Sequence, residues 1–150
     1  MNRKIRFGLI LPAVLSLAGC AAGQMLGPLP VVEPTTAATI VVVRPYNFFG
    51  SGRAPSIFVD GVEVCDIGPG EHVAIPVPPG DHLIGMLIVD LVNLRQSVRI
   101  KAEPKQSYYV VLSPGPTFAE LAEAEGEPLV AKTTAVGERY RERERAAAPR

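Results

Sequence analysis

Between Thr39 and Ser113, short β-branched runs alternate with Gly and Pro turn signals, a rhythm that leaves little room for helices. The strongest single signal is Asp60-Gly61, set between SIFV and VEVCDI. A two-residue type I′ turn needs positive φ at both central positions, so Ser56 to Ile67 reads as a hairpin. Before it, TIVVVRP (Thr39 to Pro45) is almost continuously apolar, as a strand buried on both faces would be. Pro45 ends its ladder, and YNFFGSGRAP is a loop punctuated by Gly50 and Gly52. After the hairpin, GPGE turns the chain into HVAIPV, where Val73, Ile75 and Val77 share one face. PPGD forces another turn before HLIGMLIVD, and QSVRIKA and SYYVVLS follow. About seven strands at such spacing predict an all-β antiparallel sandwich.

The first twenty residues have a different logic. Arg3, Lys4 and Arg6 form a positive n-region, and Phe7 to Ala18 is an apolar stretch of roughly a dozen residues, the length of a secretory signal. A membrane span needs about 20 apolar residues, so this stretch is too short to be one. Ala18 and Gly19 supply the small side chains that a signal peptidase admits before Cys20. Leu17-Ala18-Gly19-Cys20 resembles a bacterial lipobox, which implies cleavage between Gly19 and Cys20, a diacylglycerol thioether on Cys20 and acylation of its new amine. Residues 1–19 are then the signal peptide. At ~0.8 kcal/mol per buried CH₂, several chains hold a protein stably on a membrane where one does not. Ala21 stands where Asp would favour inner-membrane retention in enterobacterial lipoproteins, so the expected location is the outer membrane, facing the periplasm.

Removing Arg3, Lys4 and Arg6 from the fifteen Lys and Arg leaves twelve, against fifteen Asp and Glu. This mildly acidic balance, with no basic stripe interleaved with aromatics, gives no sign of nucleic-acid binding. Residues 20–38 include AAGQMLGPLPVVEPTTAA, rich in Pro, Ala and Gly, which reads as a tether. Extended at ~3.1 Å per residue, it would reach roughly 50 Å. Residues 39–115 form the expected sandwich and 116–150 a C-terminal extension. In that extension FAELAEAEGEPL is a short helix broken at Gly126, or a last strand and a loop. GERYRERERAAAPR favours helix but has no apolar face beyond Tyr140, and so reads as a solvated tail, the alternative being a docking helix.

The order I-V-V-V-R-P, F-V-D-G, P-P-G-D-H and S-Y-Y-V-V resembles the PEGA-like domain of small proteobacterial lipoproteins, a relative of transthyretin-like and carboxypeptidase-regulatory-like modules. Those domains show Arg-Pro ending the first strand, a Val-Asp-Gly hairpin, a Pro-Gly-x-His turn and a late Tyr-Tyr strand. The likeness spans Thr39 to Ser113; a long apolar strand at Leu83 to Leu94 and the Pro-rich turn after Leu112 depart from it. It implies an Ig- or transthyretin-like sandwich and a location, and no activity, since a fold alone supplies none.

Catalytic signatures are missing. No G-x-S-x-G elbow occurs, Cys65 lies mid-strand without a basic neighbour, and GSGRAP lacks the Lys of a phosphate loop. The expectation is a non-enzyme without a cofactor, apart from the covalent lipid. His72 and His82, each following an acidic residue after a Gly turn, are the weak metal candidates. The sequence places them at the starts of neighbouring strands, able to meet at one end of the sandwich, with Asp66, Asp81 or Cys65 as further ligands. Against this, a structural site needs three or four ligands at ordered spacing, and turn-stabilising imidazoles explain both residues. Asp60 is explained as the turn residue. With Cys20 lipidated, Cys65 is left without an intrachain partner, either buried or crosslinked between chains. Arg44 pairs with an acid or a loop carbonyl at its strand end, or anchors a ligand. Tyr108 and Tyr109 point to opposite faces, one core and one partly exposed.

Leu83 to Leu94 is a buried central strand, or an edge at which Leu87 and Val89 invite strand addition. The candidate binding residues are thus Arg44, Leu87, Val89 and Tyr108. The function expected is binding or scaffolding of another envelope protein; the alternative is a carrier of a small or apolar ligand, metal-assisted through His72 and His82.

Overall fold

The computed structural model describes residues 21–47, 52–89, 94–113 and 117–147. Nine strands among them form a two-layer β-sandwich: β1 (Ala38–Arg44), β2 (Ser56–Val59), β3 (Val62–Asp66), β4 (Glu71–Val77), β5 (Gly80–Ile88), β6 (Leu94–Ala102), β7 (Ser107–Ser113), β8 (Thr117–Leu121) and β9 (Thr134–Ala135). One sheet has the order β8-β7-β1-β4-β9, and the other has β3-β2-β5-β6. The four-stranded sheet is antiparallel throughout, whereas β1 pairs in parallel with β7, and β4 with β9. The sheet therefore continues past Ser113: β8 and β9, from the expected C-terminal extension, are members of it.

The core forms because alternate residues of each strand point inward. Ile40 and Val42 of β1, Val73, Ile75 and Val77 of β4, and Val110 and Leu112 of β7 meet Ile57, Ile84, Met86 and Ile100 from the other sheet. The reading of Thr39–Pro45 as buried on both faces holds, since Val41 and Val43 on the opposite face are buried too. Their cover includes helix α1 (Glu123–Val130), which packs on β7 and β1. Gly126 does not break this helix. It is where the helix touches the sheet, and a Cβ there would overlap the Tyr109 ring. A second helix, α2 (Glu138–Ala147), ends the described chain, and neither helix is long and apolar enough to cross a membrane.

Leu83 to Leu94 is not one strand, but Leu83 to Ile88 has the central place read from its composition. β5 ends at Ile88 and is paired on both sides, with β2 and β6, so strand addition at β5 is closed off. Residues 90–93, including Asp90, lie outside the described residues.

The expected tether is also corrected. Gln24 to Leu26 docks on the edge of β3: Asp66 N–H donates to Gln24 O at 2.9 Å, and Leu26 N–H to Val64 O at 3.0 Å. This segment enters beside the Asp66 end of β3 and runs antiparallel to it, and β1 starts at the opposite end of the sandwich. Residues 21–38 are thus spent along the domain, so the reach of an extended spacer does not apply.

Candidate binding site

One face of the four-stranded sheet is open. Strand alternation puts Phe58 of β2, Leu83, Gly85 and Leu87 of β5, and Arg95, Ser97, Arg99 and Lys101 of β6 on it. Phe58, Gly85 and Ser97 are aligned across three strands, and the missing side chain of Gly85 leaves a trough of about 400 Å³ between Leu83 and Leu87. Leu83 is 45% exposed. Beside this apolar floor Arg95 and Arg99 stand directly across from Leu87 and Leu83, so the trough has a cationic flank. Such a surface suits a ligand that is apolar in part and carries negative charge. Of the sequence-derived candidates, Leu87 lines the trough and Val89, 76% exposed, lies just beyond the end of β5.

Arg44 and Tyr108 are elsewhere. Arg44 Nη1 donates to Arg53 O at 2.6 Å and to Ile67 O at 2.9 Å, the loop-carbonyl role read from its place at a strand end. Tyr108 leans on the core while its hydroxyl accepts from Glu103 N–H at 2.9 Å; Tyr109, on the other face, is buried near α1. Neither tyrosine contributes to the trough.

The two histidines are not brought together. β4 begins at the end of the sandwich where β1 finishes, and β5 at the other end, so His72 and His82 are separated along the strand direction. His72 Nδ1 is 2.8 Å from Thr133 Oγ1, whose proton is committed to Val130 O, so Nδ1 is the donor. Burial holds this imidazole below its ordinary pKa, against the charge of Glu138. His82 is different: Nδ1 lies 2.7 Å from Asp60 Oδ2 and Nε2 2.8 Å from Pro78 O. Only an imidazolium satisfies two acceptors at once. Burial opposes the charge, but the bonds to Asp60 and Pro78 O and the nearby carboxylates outweigh it, and the His82 pKa is raised. Asp60 and Gly61 adopt the positive φ values expected of the turn, 51° and 83°, and Asp60 also accepts from Leu83 N–H at 2.8 Å. Among the described residues, no three His, Cys, Asp or Glu side chains converge on a metal-sized site. Cys65 is buried and unpaired, and burial, with the charges of Asp66 and Glu71, pushes its thiol up to about 12.

The most unusual side chain escaped sequence reasoning. Glu71 is fully buried, following Val73 and Ile75 on the inner face so that its carboxylate caps the end of the core. Oε2 accepts from Gly23 N–H at 2.8 Å and from Gly68 N–H at 2.7 Å. Oε1 has no hydrogen bond and faces Arg139 Nε at 3.7 Å. Arg139 Nη2 also donates to Pro69 O at 2.9 Å, so α2 is docked by its first turn, the alternative to the solvated tail that the sequence favoured. The only available sequence signal was an acid directly after a Gly-Pro-Gly turn, which exposed turns show just as often.

Cys20 and Gly19 lie outside the described residues. No family model matches the sequence, and no curated protein matches it significantly.

Proposed function

We propose that this chain is a lipid-anchored binding module of the bacterial envelope, without catalytic activity, held through Cys20 at the periplasmic face of the outer membrane. Its binding surface is the open face of the four-stranded sheet, and its partner is an acidic, partly apolar segment of another envelope protein. The carrying observation is the trough at Gly85, floored by Phe58, Leu83 and Leu87 and flanked by Arg95 and Arg99. It is a half-open depression on a sheet face, a form that accepts the side chains of a polypeptide. The interior supports no carrier reading, because Ile40, Ile57, Ile75, Ile84 and Met86 fill the space between the sheets. The PEGA-like resemblance agrees with a non-enzymatic role.

A photo-crosslinker placed at Leu83 in cells tests the reading. Capture of one envelope protein should be lost on Gly85→Val, which fills the trough, and on Arg95→Glu with Arg99→Glu. A Cβ at Gly85 would sit 3.5 Å from Phe58 Cβ, an ordinary contact, so filling the trough leaves the fold intact. Capture that survives both changes sinks the surface. Retained fatty-acid labelling after Cys20→Ser sinks the anchor.

A further inference from the structure

The described chain is bound to the sandwich from its first residue. Ala21 O packs so closely on Gly68 that a Cβ at Gly68 would overlap it, and a Cβ at Gly23 would overlap Asp66 O and Glu71 Oε2. Gly23 N–H then ends on the buried Glu71 carboxylate, and Gln24 to Leu26 continues as an added strand on β3. Cys20 is one residue before Ala21, a Cα step of about 3.8 Å. An anchor on Cys20 is therefore attached to the folded domain with no spacer between them.

We infer that the end of the sandwich where β1 and β5 close, around the buried Gly68 to Glu71 turn, is turned toward the lipid headgroups and meets them through its exposed residues. This rests on the proposed lipidation of Cys20. The surface has the right chemistry: Tyr46 (63% exposed) and Val89 (76% exposed) project at this end, and exposed Arg53 lies beside them in the chain leading into β2. A tyrosine ring with its hydroxyl belongs at the headgroup level, and arginine keeps its charge among phosphates. The Asp60-Gly61 turn, Pro78 to Gly80 and Glu103 to Lys105 form the far end. β1 has seven residues, and at about 3.3 Å each it separates the ends by roughly 23 Å. The strands then rise from the bilayer and the trough faces sideways, toward partners anchored in the same membrane.

The test uses the full lipidated chain in phosphatidylethanolamine–phosphatidylglycerol vesicles containing a headgroup-quencher lipid. Tyr46→Cys and Lys105→Cys variants each carry one fluorophore; Cys65 is buried and unreactive. The expected result is strong quenching at position 46 and little at 105. A Gly/Ser insert of twelve residues between Ala21 and Ala22, about 20 Å in r.m.s. length, keeps the residue after Cys20 and should abolish that contrast. Equal quenching at both positions without the insert, in protein that is lipidated and vesicle-bound, overturns the orientation alone. Failure to label with fatty acid overturns the lipidation reading itself.

Discussion

Replacing Glu71 probes the joint that ties the N-terminal segment to the sandwich. In Glu71→Ala the amides of Gly23 and Gly68 lose their shared acceptor, and a buried donor left unsatisfied costs about 1–3 kcal/mol. Arg139, 25% exposed, loses a partner worth at most about 1 kcal/mol. Together these give a destabilisation of about 2–7 kcal/mol, a large share of the ~5–15 kcal/mol that holds a domain. Glu71→Gln keeps an oxygen where both amides meet but loses the charge assistance and the attraction for Arg139, so about 1–3 kcal/mol is expected. Urea denaturation gives both values, and amide exchange at Gly23 and Gly68 reports whether the N-terminal segment loosens first. Equal stabilities for the two variants, or protection of Gly23 unchanged in Glu71→Ala, would refute the joint.

Gly126→Ala should destabilise by about 1–3 kcal/mol, because its methyl enters the Tyr109 ring; pairing it with Tyr109→Ala should cost less than the sum, and strict additivity in melts of the three variants would contradict this contact. The raised pKa of His82 means its contribution is fully present below the ordinary imidazole value and lost as pH rises through the folded one. The depressed pKa of Asp60 adds stability above the ordinary carboxylate value that disappears as pH falls through the folded one. Asp60→Asn should therefore lower the His82 pKa seen by NMR titration and flatten stability above the ordinary imidazole value, and an unmoved titration would dismiss the pair. Cys65 should resist thiol reagents until the protein unfolds and should leave wild type and Cys65→Ser alike on a non-reducing gel.

On the proposed seating at the bilayer, a sideways trough limits which partners can reach it. On that reading a short acidic segment of a neighbouring membrane protein would have access, and Arg95 and Arg99, four residues apart on the outer face of β6, supply the matching charge.

The strands and the Asp60-Gly61 turn were legible in the sequence because their determinants are local. Alternation along β4, the unbroken apolar run of β1 and the left-handed turn residues each lie within a few positions of one another. The fate of LIGMLIVDLVNL was half legible: its composition marks burial, yet Leu83 and Leu87 face outward because β5 has a partner on each side and one open face. Other assignments belonged to the tertiary structure alone. His72 and His82 follow similar turns but start antiparallel strands from opposite ends. The supposed tether docks because β3 is an edge with unpaired backbone groups, and the C-terminal extension closes over β7 and β4 through α1 and β9. Glu71 meets Gly23 across 48 residues, and Pro69 meets Arg139 across 70. Local sterics and periodicity write strands and turns into neighbouring residues, whereas a buried carboxylate is chosen by donors that only the closed sandwich brings to it.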